Sequence, residues 1–246
     1  MNTLTTSFVS RLRDRDETAW FELWQVFGPV LRGQLTKWGK GRIGAETVRD
    51  LTQETLAALS DSIDRYDPSR GARFSTWLLS IAKHALGDEI DRRMALKRGA
   101  GRKPMEFDER FMSNAAAVEA DDVYEQNVFR AKVYAAIQRT EPEADFVQFQ
   151  VYRMRVFDGL TGKDVAEQLG ISEPTVSRHL HRIRALLRKR LAETIATYSF
   201  TEDEQREALR AGLGDDDSTF DDALRDIYFR QSQLLQQDEA AASAAF

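Results

Sequence analysis

The sequence predicts an all-α protein: two small helical domains joined by a flexible linker, the second ending in a helix-turn-helix, then an acidic C-terminal extension of helical character. Three observations carry this prediction. No stretch alternates apolar and polar residues over the length of a strand. Ala, Leu, Arg and Glu are abundant, with only 5 prolines in 246 residues. Apolar residues instead recur at spacings of three and four. A first block covers 5–95, with helices expected at about 16–39, 44–63 and 73–94, the last two separated by the turn-rich DRYDPSRG. Residues 96–124 mix Gly, Pro, charges and small residues and read as a linker with room for one helical turn. A second block covers 125–196, and the extension is 197–246.

Residues 159–191, GLTGKDVAEQLGISEPTVSRHLHRIRALLRKRL, predict the helix-turn-helix. Thr161 can cap a short helix, with Asp164 three residues on favouring its positive end. Val165, Ala166 and Leu169 form its apolar stripe. Gly170 stands where a left-handed residue must end that helix, a conformation glycine adopts without strain. Ser172 is the expected cap of a second helix, and Pro174 fits its first turn. Val176, Leu180, Ile183, Leu187 and Leu191 recur at spacings of four, three, four and four, so one face is buried. Thr175, Ser177, Arg178, His181, Arg182, Arg184 and Arg188 project elsewhere. A major groove admits one α-helix, and arginine can bond both acceptors of a guanine edge. Duplex DNA is therefore the expected ligand. A merely solvated basic helix would not need the capped helix and glycine turn before it.

The absence of cysteine excludes disulfides, thiolate zinc sites and a cysteine nucleophile, and fits a reducing cytoplasm. No run of 18 apolar residues predicts a membrane span, and Met1 leads into a polar segment unlike a signal peptide. A net charge of −5 is unexpected for a DNA binder until it is divided along the chain. Residues 126–195 hold 12 Lys/Arg against 8 Asp/Glu, a balance of +4, whereas 196–246 hold 4 against 12, a balance of −8. The acidity therefore belongs to the extension. Within it, Thr201 with Glu204 resembles a capping box. Phe220, Leu224, Ile227 and Leu234 share a helical face, and GLGDDDS reads as a loop.

Upstream, residues 50–94 read DLTQETLAALSDSIDRYDPSRGARFSTWLLSIAKHALGDEIDRRM. Asp50, Gln53 and Glu54 fall at i, i+3 and i+4 and share a helix face able to receive arginines from a partner. An ordinary solvated face is the other reading. Together with the later helix-turn-helix, this stretch resembles a bacterial RNA polymerase sigma factor of the extracytoplasmic-function (ECF) type, over about residues 5–195. The resemblance implies a cytoplasmic initiation factor that is not an enzyme and has no catalytic residues, cofactor or metal. Its implied partners are core RNA polymerase and promoter DNA, double-stranded and locally melted, with an anti-sigma factor as a further candidate.

By the same resemblance, Asp50, Gln53 and Glu54 match the acidic helix that docks on the clamp helices of the polymerase. Asp67, Ser69 and Arg70, with Phe74 and Trp77 after them, match the loop and helix start that capture a flipped base of the minus-ten element. Such a pocket needs a flexible loop, apolar or aromatic walls and polar atoms for the base edge. Aromatics at helical spacing are also ordinary core, so Phe74 and Trp77 keep that second reading. His84, on the helical face of Trp77, takes a position where many relatives carry asparagine, which leaves the identity of the read base open. Arg92 and Arg93 match contacts to the duplex just upstream of the melted region, and are also cations at a predicted helix C-terminus. Thr175, Ser177, Arg178, His181, Arg182 and Arg184 match the face that reads the minus-thirty-five element, some through phosphate alone.

Two stretches depart from the family pattern. Thr140-Glu141-Pro142 stands where relatives open a helix with leucine-proline, and Phe146, Phe149 and Tyr152 make that helix aromatic. The acidic extension is the larger departure. It has three open roles: competing with DNA for the basic face at high local concentration, docking on the second domain or a regulator through Phe220, Leu224 and Ile227, or remaining a solvated, partly disordered tail. A stand-alone helix-turn-helix regulator has a similar GLTxxxVAxxLGIS segment. It would need a receiver or ligand domain upstream, and the first block offers no strands for one. An enzyme would need His84 and Asp88 with Glu54 or Asp91, or the acidic run 215–217, as metal ligands. Neither set has supporting groups or a nucleophile, and charged helix faces account for both.

Overall fold

The computed structural model describes residues 3–40, 42–67, 73–97 and 122–243, and every regular element among them is helical. In chain order these are α1 (Thr3–Arg13), α2 (Glu17–Gly39), α3 (Ala45–Ser62), a 3₁₀ turn (Ile63–Arg65), α4 (Phe74–Lys97), α5 (Asp122–Thr140), α6 (Phe146–Tyr152), a π-helical turn (Arg153–Phe157), α7 (Gly162–Leu169), α8 (Glu173–Tyr198), α9 (Glu202–Arg210) and α10 (Asp217–Ser243). The chain divides into two compact units. The first holds α1–α4, the opening turns of α5, residues 199–201 and the end of α10; the second holds the rest of α5 through α8 with residues 202–233. Most of the expected linker, 98–121, lies outside the described residues.

In the first unit, the Asp16 carboxylate accepts from the Thr18 N–H at 2.8 Å and caps α2. Arg11 of α1 reaches both Asp16 at 2.7 Å and Glu22 at 3.2 Å, so the same aspartate ties two helices together. Helix α1, which buries Phe8, Val9 and Leu12, is absent from the sequence expectation. Its opening TLTT consists largely of weak helix formers, and packing rather than propensity holds it. Thr52 and Thr55 are buried in α3, where each hydroxyl donates to the carbonyl four residues back at 2.6 Å. Against these helices, α4 brings an aromatic group. Phe74 packs edge-on against Phe27 and Tyr66 and stacks on Phe200 at 4.9 Å, and Trp77 stacks on Tyr66 at 4.9 Å.

The second unit is organised by α8, whose Val176, Leu180, Ile183, Leu187, Leu191 and Ile195 are all buried. Thr161 and Asp164 bond reciprocally to close a capping box on α7, and Gly170 ends that helix at φ 64°. Helix α6 is capped by Asp145, which accepts from Val147 and Gln148, so it starts beyond the Thr140-Glu141-Pro142 stretch. Its Phe149 and Tyr152 are buried, whereas Phe146 is 80 % exposed. The extension supplies part of the same core: Phe220, Leu224 and Ile227 of α10 are buried among Phe157, Val165, Leu187 and their neighbours. The extension thus docks on the second unit through these three residues, and this part of it is not a solvated tail. Glu204 is buried with Lys132 in an ion pair at 2.9 Å, both side chains 1 % exposed.

This arrangement predicts that Phe220→Ala destabilises the second unit by about 3–5 kcal/mol, the usual cost of emptying a buried phenylalanine site. Phe146→Ala, at an exposed site, should change stability by no more than about 0.5 kcal/mol. Urea denaturation of the full chain distinguishes them, and equal midpoints for the two variants would refute the docking of α10.

Candidate nucleic-acid interface

The second unit presents its polar face through α8. Gly170 in the left-handed region turns the chain between α7 and α8, and the backbone N–H of Ile171 returns to the Ala166 carbonyl at 3.0 Å. Ser172, just before α8, places its hydroxyl 2.8 Å from that of Thr175, which also accepts from the Arg178 guanidinium at 2.9 Å. The start of the helix is thereby braced by a short polar chain, with Thr175 half-buried. Ser177, Arg178, His181 and Arg182 are exposed on one side of the first three turns, opposite the buried stripe. Such a tip can enter a major groove and offer hydroxyl, imidazole and guanidinium donors to base edges and phosphates.

Arg184, assigned to the same reading face, is placed differently. Its side chain is 18 % exposed, donating to the Asp217 carboxylate at 2.9 Å and, from Nε, to both Asp221 oxygens at 3.2 Å. The hydrogen bonds it donates to Asp221 raise its pKa above the usual guanidinium value. Arg188 is held likewise, by the Asp217 carboxylate at 2.8 Å and the Gly214 and Asp215 carbonyls, with Phe220 beneath its guanidinium at 4.4 Å. Lys189, not assigned from sequence, is exposed on the side of Arg178 and Arg182. The carboxylates that take Arg184 lie more than thirty residues away in the chain, beyond the reach of local spacing.

In the first unit, Asp50, Gln53 and Glu54 are all exposed on one face of α3. Leu51 and Leu59 are buried opposite and Leu56 half-buried, as an amphipathic helix requires. Asp67 is exposed, and Ser69 and Arg70 lie outside the described residues. Phe74 is fully buried in the aromatic group, which gives it the core reading rather than that of an open pocket wall; Trp77 is core as well. His84 is half-buried on α4, and burial pushes its pKa below the ordinary imidazole value despite the opposing Asp88.

Arg92 and Arg93 do not end their helix, since α4 runs on to Lys97, so the helix dipole accounts for them less well. Glu89, overlooked in the sequence although three and four residues before them, is the residue that positions both. It accepts from Arg92 Nε at 2.7 Å and Arg93 Nε at 2.6 Å, while Arg93 also donates to the Thr47 hydroxyl at 2.6 Å. Burial pushes the Glu89 pKa up, but the bonds from Arg93 and Arg92 outweigh it and hold the carboxyl below its ordinary value. An exposed and a half-buried guanidinium therefore stand side by side on a fixed carboxylate, a geometry suited to phosphate oxygens.

Among the described residues no three His, Cys, Asp or Glu side chains gather as a metal set. In the acidic run 215–217, Asp216 accepts from the Thr219 N–H at 2.8 Å near the start of α10 and Asp217 holds Arg184 and Arg188. No helix among the described residues is long and apolar enough to cross a membrane.

Two family models match the chain: Sigma-70 region 2 at residues 23–95 and Sigma-70, region 4 at residues 147–187. The chain is 29 % identical over 182 residues to the ECF RNA polymerase sigma factor RpoE of Cereibacter sphaeroides, covering 74 % of this chain and 91 % of that protein. It is 28 % identical over 148 residues to the ECF RNA polymerase sigma factor SigE of Mycolicibacterium smegmatis, covering 58 % of this chain and 51 % of that longer relative. The first block, which a stand-alone regulator would need as a receiver or ligand domain, is the part that matches region 2. Residues beyond 187 match neither family model.

The exposed tip of α8 yields a direct expectation. Arg178→Ala and Arg182→Ala should each weaken binding to a cognate duplex by about 1–3 kcal/mol where the guanidinium contacts a base edge. Fluorescence anisotropy on cognate and scrambled duplexes checks this, and an equal loss on both would make the residue a phosphate contact.

Proposed function

The chain belongs to the sigma-70 family of RNA polymerase sigma factors, in its ECF branch, and from that premise we propose how its own residues carry out initiation. As a sigma factor it directs core RNA polymerase to promoters, and its family consists of transcription factors without enzymatic activity. In the reading proposed here, the Asp50, Gln53 and Glu54 face of α3 receives basic groups of core polymerase. The α8 tip, with Thr175, Ser177, Arg178, His181 and Arg182, reads the upstream promoter element in duplex form. The segment from Asp67 through Ser69 and Arg70 to His84 takes a base from the melted downstream element, and Arg92 and Arg93 grip the duplex beside it. The protein acts in the cytoplasm, without a cofactor, and an anti-sigma factor is a candidate regulator.

The observation that carries this reading is the geometry of α8: a capped, glycine-turned helix-turn-helix that buries one stripe and leaves Ser177, Arg178, His181 and Arg182 exposed. The exposed acidic face of α3 supports polymerase docking, because carboxylates free of burial can accept a partner's arginines without a large desolvation penalty. The paired guanidiniums on Glu89 support the duplex grip.

Run-off transcription with purified core polymerase, followed by mapping of bound promoters, tests the whole assignment. Reversing both Asp50 and Glu54 to lysine should abolish holoenzyme assembly in gel filtration while leaving the helical circular-dichroism signal unchanged. Normal assembly of that double variant removes the α3 docking face from the mechanism. His84→Asn should change the preference at one non-template base in a promoter library with little effect on thermal stability. An unaltered preference would move the base pocket away from α4.

A further inference from the structure

The residues Ser177, His181, Arg184 and Arg188 follow one another at spacings of four, three and four, so they line a single stripe along α8. The first two are exposed at the tip. The second two are occupied by the acidic start of α10: Asp217 bonds both guanidiniums, Asp221 takes Arg184 from two directions, and the Gly214 and Asp215 carbonyls complete the hold on Arg188. Asp221 also accepts from the Tyr152 hydroxyl at 3.0 Å, which fixes the carboxylate in place. At 1.5 Å per residue, Arg188 stands about 10 Å along the helix from His181. A major groove is about 12 Å wide. When the tip enters that groove, the rest of the stripe runs out towards the phosphate wall.

We propose that Asp217 and Asp221 stand in for DNA phosphates on Arg184 and Arg188, and so set how tightly the α8 domain grips the duplex backbone. Asp221 takes Arg184 with both oxygens and Asp217 bridges the two arginines with one oxygen to each, as phosphate oxygens can do. They are also covalently tethered and seated by Phe220, Leu224 and Ile227, so they hold the arginines at high effective concentration. Backbone grip carries no sequence information. Removing two arginines from it lowers affinity for arbitrary DNA while leaving the base-reading tip of α8 exposed. This rests on the proposed reading of α8 as the duplex-binding helix, and extends it to residues outside both family matches.

The test uses the full-length chain and a duplex carrying its upstream element, with a scrambled duplex beside it, in fluorescence anisotropy across a salt series. Asp217→Asn combined with Asp221→Asn removes the carboxylate charge from both arginines while an amide oxygen remains for Tyr152. Each phosphate contact adds about 0.9 to the slope of log affinity against log salt. The double variant should therefore bind both duplexes more tightly, with a slope steeper by about 1.8, its advantage shrinking about tenfold between 50 and 200 mM salt. Asp222→Asn combined with Asp226→Asn is the charge-matched control, because those exposed carboxylates pair with Arg225 and Arg230 of their own helix. It should give clearly less.

In a background of Arg184→Ala and Arg188→Ala, the gain from the asparagines should vanish. A gain equal to the control, or one that survives in that background, overturns the phosphate-mimic role while duplex binding itself stands. Should the double variant fail to fold, Asp217→Asn alone removes the carboxylate that pairs with Arg188 among the described residues, and an unchanged slope there overturns the proposal equally. Absence of duplex binding by every form, wild type included, overturns the reading of α8 beneath it.

Discussion

The division of α8 into two faces governs the second unit. Over 26 residues this helix fills a core with one stripe and presents basic and polar side chains on another. Burying Val176, Leu180, Ile183, Leu187 and Leu191 fixes the rotation of the helix about its axis, because any turn would expose leucine and bury arginine. With that rotation fixed, the direction of Ser177, Arg178, His181 and Arg182 follows without further adjustment. The capping box at Thr161 and the left-handed Gly170 fix the remaining freedom, the angle at which the tip leaves the body of the domain.

Electrostatics refine this frame. The Lys132–Glu204 pair is buried on both sides, where the attraction is largely offset by the loss of hydration. Its effect is selective: a displaced α9 would leave a naked charge in the core, which no competing arrangement tolerates well. The partly exposed pairs on Arg184 and Arg188 work in a wetter setting, and can exchange one anionic partner for another. Two kinds of ion pair in one domain thus serve different ends, one excluding alternatives and the other permitting them.

Local chemistry explains which parts were legible in the sequence. The helix-turn-helix could be read because each of its decisions lies within three or four residues: a threonine and its aspartate, a glycine at the turn, a leucine every turn. The exposed face of α3 was legible for the same reason. Phe74 was ambiguous because helical spacing says that an aromatic points inward or outward, not what waits there; its partners Phe27 and Phe200 come from distant segments. Arg184 was assigned to the open face because its angle on the helix lies near that of His181. Only the folded chain brings Asp217 and Asp221 to it. The charge contrast between the second block and the extension was plain from the sequence, but not which carboxylates met which arginines. Helix α1 escaped notice since its threonines speak against helix and its burial alone supports it.

The core contribution of α10 also bears on where this domain ends. The region 4 match closes at Leu187, well inside α8, yet the buried cluster that Leu187 belongs to also contains Leu213, Phe220, Leu224 and Ile227. The family match and the buried core therefore have different boundaries. Side chains at the exposed tip of α8 can be exchanged by single substitutions without disturbing the core. Losing the extension is another matter: it would bare an apolar floor along α8 that only several simultaneous replacements could make compatible with water. Once packed on α8, such a segment becomes hard to discard, whatever first favoured it.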